Sequence, residues 1–248
     1  MRSSTPTTST CPKDAIAPYK NRFLAGSPFG QVDVVGVDDL TRLDDLTRYK
    51  ILIYSGWNTM TPNIFRLLYE YANQGGTLVL AVPHFCTRTD REAVDYTSHD
   101  LIQDGNLAPL MDVRITGRET FRGEWMAQYE SSKSLVQKDF GTIRTLEQAR
   151  GQGKVILLLN WEYPGKPSLA ADFQRIVREQ AKKFSYDVTL DADEETCTYL
   201  CWAVYPGRVY VQNIDCNQTR TCVLNIGSKR ISLEIPPAVL KRVEFLSD

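Results

Sequence analysis

Charge of one sign is missing from this sequence: 29 Lys and Arg stand against 30 Asp and Glu, a net of −1 over 248 residues. Without a basic excess there is no electrostatic footprint for DNA or RNA, and no pull towards an anionic membrane surface. Long apolar runs are missing too. The longest, Thr77–Val82 and Lys154–Leu159, have the length of strands and fall far short of the roughly 20 residues a membrane-spanning helix needs. The opening Met1–Thr10 stretch has one positive charge and no apolar segment behind it, so it does not read as a secretory signal. Residues 1–14 are expected to form a disordered tail. The chain then either stays in the cytoplasm or is an internal piece of a longer polypeptide.

Histidine is scarce, with His84 and His99 alone available as imidazole bases. The six cysteines, Cys11, Cys86, Cys197, Cys201, Cys216 and Cys222, include no two close C-x-x-C pairs, which excludes a zinc ribbon and leaves no metal site to expect. Cys197 and Cys201, read as lying on one strand, would sit about 13 Å apart and beyond disulfide reach. Cys216 and Cys222 flank a five-residue loop and pair if the hairpin register allows; buried thiols are the expectation elsewhere. The glycines at 26–30 and 151–153 match neither a dinucleotide fingerprint nor a phosphate loop, so no flavin or nucleotide cofactor is expected.

What is present is ordinary globular composition, 42% hydrophobic and 24% charged, enough for one mid-sized and one small domain. Ala15–Leu24 reads as a short helix, Val32–Val35 as a strand and Asp38–Asp45 as a polar helix or turn. Tyr49–Gly56 reads as a buried strand. Thr61-Pro62 opens a helix, with threonine as cap and proline at the first helical position, and Gly75-Gly76 closes it. Thr77–Val82 and Lys154–Asn160 are further buried strands, with weaker ones near Val113–Ile115 and Gly141–Leu146. Leu169–Phe184 is an amphipathic helix. Such alternation predicts an α/β domain over 15–185 with a parallel sheet and helices on both faces. Beyond it, six short runs rich in β-branched and aromatic residues, with turns at Pro206-Gly207, Asn217-Gln218 and Gly227-Ser228, predict a small antiparallel β-sandwich over 186–248.

The stretch Tyr49–Pro62, continuing through Tyr71–Leu80 with its Gly75-Gly76-Thr77-Leu78 turn, resembles the class I glutamine-amidotransferase-like domain behind the catalytic barrel of family 42 β-galactosidases. Asp104–Val113 is similar to the segment leading into a later strand of that domain, and Val209–Asn213 to the small β domain that closes such chains. The resemblance covers roughly residues 19–248. It implies a flavodoxin-like fold, a role in trimerisation and carbohydrate metabolism, and a catalytic barrel or a second copy as partner. Where the family's first buried strand would lie, this chain has the polar Ser3–Cys11 stretch.

Three functional readings follow. The family's two catalytic carboxylates come from the barrel, and this chain has no room for that barrel's roughly 250 residues. It is therefore first read as a non-catalytic accessory or oligomerisation module. Scattered acids remain: Glu124, Glu130 and Glu162, the last in the loop Trp161-Glu162-Tyr163 after a buried strand, where α/β sheets bind ligands. That loop and Trp57-Asn58 are expected at one sheet edge as an exposed aromatic patch, covering the sheet or meeting a partner subunit. The second reading is a Cys-dependent amidotransferase-like hydrolase using Cys86 with His84 or His99. Cys86 lacks the small neighbours of a strained nucleophile turn. The third is a carbohydrate-binding module with Trp57, Trp161 and Tyr163 as stacking faces.

Overall fold

The computed structural model describes residues 32–55, 59–89, 95–181 and 188–245. The expected helix at Ala15–Leu24 lies outside them. The chain divides into two units, one spanning 35–183 and one centred on the strands after 187.

In the first unit, helix α1 (Leu43–Thr47) precedes strand β1 (Ile51–Ile53), helix α2 (Pro62–Asn73) and strand β2 (Thr77–Ala81). The Thr61 hydroxyl accepts the Ile64 amide at 3.2 Å, satisfying a donor that the first turn leaves open. Gly75, at φ 116°, takes the chain out of the helix. Then come strands β3 (Arg114–Phe121), β4 (Glu124–Glu130), β5 (Val136–Phe140), β6 (Ile143–Arg150) and β7 (Gly153–Leu158), and helix α3 (Pro167–Ala181).

The main sheet runs in the order β1-β2-β7-β6-β5. Its β1-β2-β7 half is parallel, as expected, but β6 and β5 run antiparallel to their neighbours, so the sheet is mixed. Side chains alternate across it. Leu78, Leu80, Val155 and Leu157 share a core with α2, while Val79, Ala81, Ile156 and Leu158 share one with Leu169 and Ile176 of α3. The sheet thus has a helix on each face.

Two features depart from the sequence expectation. Val32–Val35 forms no strand; Val34 is 97% exposed and finds no ladder partner among the described residues. Between Pro83 and Gly153 the weak strands expected near Val113–Ile115 and Gly141–Leu146 fall at the starts of β3 and β6, but each belongs to a hairpin that was not expected. Hairpin β3–β4 turns through Arg122-Gly123, both at positive φ, which suits the twist of a two-residue connection. The turn between β6 and β7 is held against the end of α2: the Gln152 amide donates to the Asn73 carbonyl at 3.0 Å and the Lys154 amide to Gly76 at 3.1 Å. A Cβ on Gly153 would overlap the Gly76 and Ala72 carbonyl oxygens, so only glycine permits this approach.

The second unit contains β8 (Val188–Asp191), helix α4 (Glu194–Tyr199), β9 (Leu200–Tyr205), β10 (Arg208–Asn213), β11 (Arg220–Ile226), β12 (Lys229–Ile235) and β13 (Leu240–Glu244). Two antiparallel three-stranded sheets, β13-β10-β9 and β12-β11-β8, enclose one core. Leu200, Val209 and Val211 come from the first sheet, and Val188, Cys222, Leu224, Leu233 and Ile235 from the second. Helix α4, capped by Asp193 on the Thr196 amide at 2.8 Å, was not expected. It also separates Cys197, in the helix, from Cys201, in β9, correcting their assignment to one strand. Cys216 is disulfide-bonded, yet Cys222 stays outside any disulfide, so the hairpin pair is not formed.

Beside this core, Asp215 and Arg220 form a buried ion pair at 2.6 Å. Asp215 also accepts the Asn217 and Gln218 amides at 2.8 and 3.2 Å, and Arg220 reaches Glu195 at 3.0 Å and covers the Tyr199 ring. Asn213 ties the same loop to the Gln218 and Ile235 carbonyls. No helix among the described residues is long and apolar enough to cross a membrane.

Candidate functional site

The carboxyl end of β7 is where the parallel strands of an α/β sheet present a ligand. Here the chain leaving β7 meets protein. The Ala127 amide donates to the Leu159 carbonyl at 2.7 Å, the Trp161 amide to Trp125 at 2.9 Å, and Asn160 bridges to Met126. Hairpin β3–β4 therefore runs alongside residues 159–161 and covers that end of the strand.

Trp161 is 1% exposed. Its indole stacks on Tyr96 at 4.6 Å and 3°, and the Tyr96 hydroxyl donates to the Trp161 carbonyl at 2.6 Å. The expected exposed aromatic platform is thus corrected to a core element, because Tyr96, distant in sequence, covers the ring. The Trp161 indole nitrogen and the Asn160 side-chain oxygen have no hydrogen-bond partner among the described residues. Trp57 and Asn58 lie outside the described residues. Among the described residues the exposed tryptophan at this end is Trp125, 43% exposed, with the Arg118 guanidinium 4.9 Å above its ring.

Glu162 and Glu124, two of the scattered acids, are brought together by a residue the sequence did not single out. Lys166, four residues after Glu162 in the connection ahead of α3, pairs with Glu162 and lies 2.7 Å from Glu124. Burial pushes the Glu124 carboxyl up, but its bonds with Lys166 and Ser168 outweigh this and hold it below its ordinary value. Glu124 and then Glu162 raise the Lys166 ammonium. A retaining glycosidase keeps its carboxylates about 5 Å apart with a sugar between them, and an inverting one wider still. Here an ammonium fills the gap.

His84 sits on the 3₁₀ turn Val82–Phe85 that follows β2 and is fully buried. Its Nδ1 accepts the Ala81 amide at 2.9 Å, and its ring meets Tyr54 and Tyr163 edge-on at 5.7 and 5.2 Å. Burial, with Tyr163 beside it, pushes the Tyr54 hydroxyl up to about 12. Tyr163, half-buried, and His84, fully buried, were named separately from sequence and share one aromatic cluster. Cys86 is buried with an extended backbone, φ −68° and ψ 133°, rather than on a strained turn, and its carbonyl accepts the Met60 amide at 2.8 Å. His99 stands in solvent 3.9 Å from Asp104. Among the described residues no three His, Cys, Asp or Glu side chains converge to hold a metal ion.

No protein-family model matches the sequence, and no curated protein matches it either. Among solved structures, a β-galactosidase from the Antarctic haloarchaeon Halorubrum lacusprofundi shares the fold at a TM-score of 0.56, with 16% identity over 88% of this chain and 34% of that one. The fold is one found within β-galactosidases. A cold-adapted β-galactosidase from Rahnella sp. R3 gives a TM-score of 0.53 at 12% identity, over 81% of this chain and 33% of that one. The E323A mutant of Gan42B, a GH42 β-galactosidase from G. stearothermophilus, gives 0.49 at 17% identity, over 81% and 32%. The chain spans about a third of the length of these β-galactosidases.

Proposed function

We propose that this chain is a non-catalytic accessory or assembly module of a β-galactosidase-like glycoside hydrolase, with a flavodoxin-like, glutamine-amidotransferase-like domain over 15–185 and a β-sandwich domain over 186–248. One observation carries the reading: the sheet end that would hold a ligand is filled by the chain itself. Hairpin β3–β4 covers residues 159–161, and Lys166 stands between Glu124 and Glu162. The buried Cys86 on an unstrained backbone and the His84 nitrogen committed to Ala81 argue against a nucleophilic thiol. The fold likeness to about a third of a β-galactosidase supports a catalytic barrel, or a second copy of this chain, as the partner.

The test is an activity assay of the purified chain on aryl β-galactosides and on glutamine, run beside light scattering with and without a family 42 barrel added in trans. No hydrolysis, and a mass that rises through self-association or barrel binding, is the expected result. Hydrolysis abolished by Glu162→Gln or Cys86→Ala would overturn the reading, as would a strictly monomeric chain that ignores the barrel.

A further inference from the structure

Away from the filled sheet end, the first unit carries an open cleft of about 410 Å³. Asn106, Asp112, Arg114, Glu130, Ser131 and Ser132 supply its polar wall, and Ala108 and Val113 a small apolar floor. Its volume lies within the roughly 300–1,000 Å³ of small-ligand sites, towards the end that suits a single sugar ring.

The wall is set before any ligand arrives. Gln103 and Asp104 both have φ 52°, a left-handed conformation that costs energy and persists only where neighbours enforce it. The enforcing contacts are the Asn106 amide on the Gln103 carbonyl at 3.0 Å and the Leu107 amide on the Val113 carbonyl at 2.9 Å. The Asn106 side-chain oxygen accepts the Ala108 amide at 3.2 Å, which leaves its NH2 to donate elsewhere. Ser131 spends its hydroxyl proton on the Asp112 carbonyl at 2.7 Å.

Charge in the cleft is close to balance. Asp112 is held by Lys133 at 2.9 Å, Arg150 at 3.4 Å and Gln148, so its carboxyl stays below the usual range, chiefly through the Lys133 bond. Arg114 and Glu130 face each other across the β3–β4 ladder and contribute one charge of each sign. Three cations against two carboxylates leave the cleft with one net positive charge, too little to select strongly for an anion. What the wall offers is alternating donors and acceptors: a guanidinium fork, a carboxylate, a carboxamide NH2 and the Ser132 hydroxyl. Adjacent hydroxyls on a sugar ring are each donor and acceptor, and they match that alternation.

We infer that this cleft binds a neutral, monosaccharide-sized polyol, with Arg114 and Glu130 taking neighbouring hydroxyls and Asn106 and Ser132 completing the contacts. The inference rests on the cleft alone and stands whether or not the chain serves a glycoside hydrolase. Among the described residues no aromatic ring lines the cleft, so binding is weak, in the millimolar range.

The test is an amide-resonance NMR titration of the whole chain with galactose, glucose, glycerol and inorganic phosphate, each to about 50 mM, where a millimolar site is well occupied. Saturable shifts with a sugar, confined to residues 106–114 and 130–132, are expected. Arg114→Met and Glu130→Gln should each weaken binding about fivefold, the worth of one hydrogen bond, while leaving the rest of the spectrum unchanged. No saturable shift with either sugar, shifts located elsewhere, tighter binding of phosphate than of sugar, or variants that bind as the parent does would each overturn the inference.

Discussion

In the sheet unit the buried carboxylate Glu124 pairs with a lysine whose side chain is 37% exposed, so that ion cluster sits at the rim of the core. In the sandwich the carboxylate and its arginine are both inside, at 8% and 9% exposure. The sheet unit has apolar layers on two faces and can leave its charges at the margin. The sandwich has a single small core, and small cores bury too little apolar surface to fix long connections by themselves. Its Asp215 therefore organises the 213–220 connection by gathering two amides and a guanidinium, at the cost of removing two charges from water. Where apolar layers are thin, polar satisfaction sets the loop geometry.

The largest expected effect tests that dependence. Asp215→Ala leaves the Arg220 guanidinium buried without its main partner and should cost about 3–5 kcal/mol. Hydrogen exchange should show protection lost in β9–β13 while β2 and β7 keep theirs. Loss from both units together, or a cost under about 1 kcal/mol, would break the comparison.

Alkali gives a middle-sized effect, and it separates the units. Burial pushes the Cys201 and Cys222 thiols in the sandwich up to about 11 from 9.0, the latter with a smaller upward push from Cys197. Between pH 9 and 11 the unfolded chain sheds protons that the folded sandwich keeps, so stability falls as pH rises through this window. The loss reaches about 2–3 kcal/mol per thiol at its upper end. In the sheet unit, Tyr54 begins to weaken the fold only above pH 10. A stepwise alkaline melt should therefore unfold the sandwich first, and Cys201→Ala should flatten its slope. An order reversed, with the sheet unit leading, would show that the thiols are better solvated than their burial implies.

The smallest effect is local to the sheet unit. Thr61→Ala removes the side-chain acceptor from the Ile64 amide and should lower stability by about 1 kcal/mol, read as a shift of the urea midpoint with unchanged slope. A change as large as that of Asp215→Ala would mean that the packing of α2 is less self-sufficient than its buried face suggests.

The helix opened by Thr61-Pro62 and closed at Gly75 was legible because caps and terminators act within a few residues. So were the sandwich strands, whose turns carry glycine and proline. Hairpins β3–β4 and β5–β6 were not, because much of β3 and β5 faces solvent and their charged residues leave little apolar alternation to read. Of the site, the loop 161–163 after a buried strand was found in the right place, but its environment depends on distant partners. Tyr96 turns Trp161 from a surface platform into core, and Lys166 joins Glu162 to Glu124. The Tyr96 and Glu124 partners leave no mark in local spacing, whereas the Glu162–Lys166 pair, four residues apart, is a local signal that the sequence reading passed over.

Two of the glycine turns between the sheet unit's antiparallel strands also differ in what they allow an engineer to do. Among the described residues nothing lies within 4 Å of a Cβ placed on Gly123. The tip of hairpin β3–β4 is therefore the more open of the two, held to its surroundings by the Arg122 guanidinium on the Gly141 carbonyl at 2.7 Å. The 151–153 turn has the same length and looks as accessible on paper, but it is stitched to the end of α2. A residue inserted there has to prise a helix end off the sheet, so that position is closed to insertion, to circular permutation and to proteolytic nicking alike.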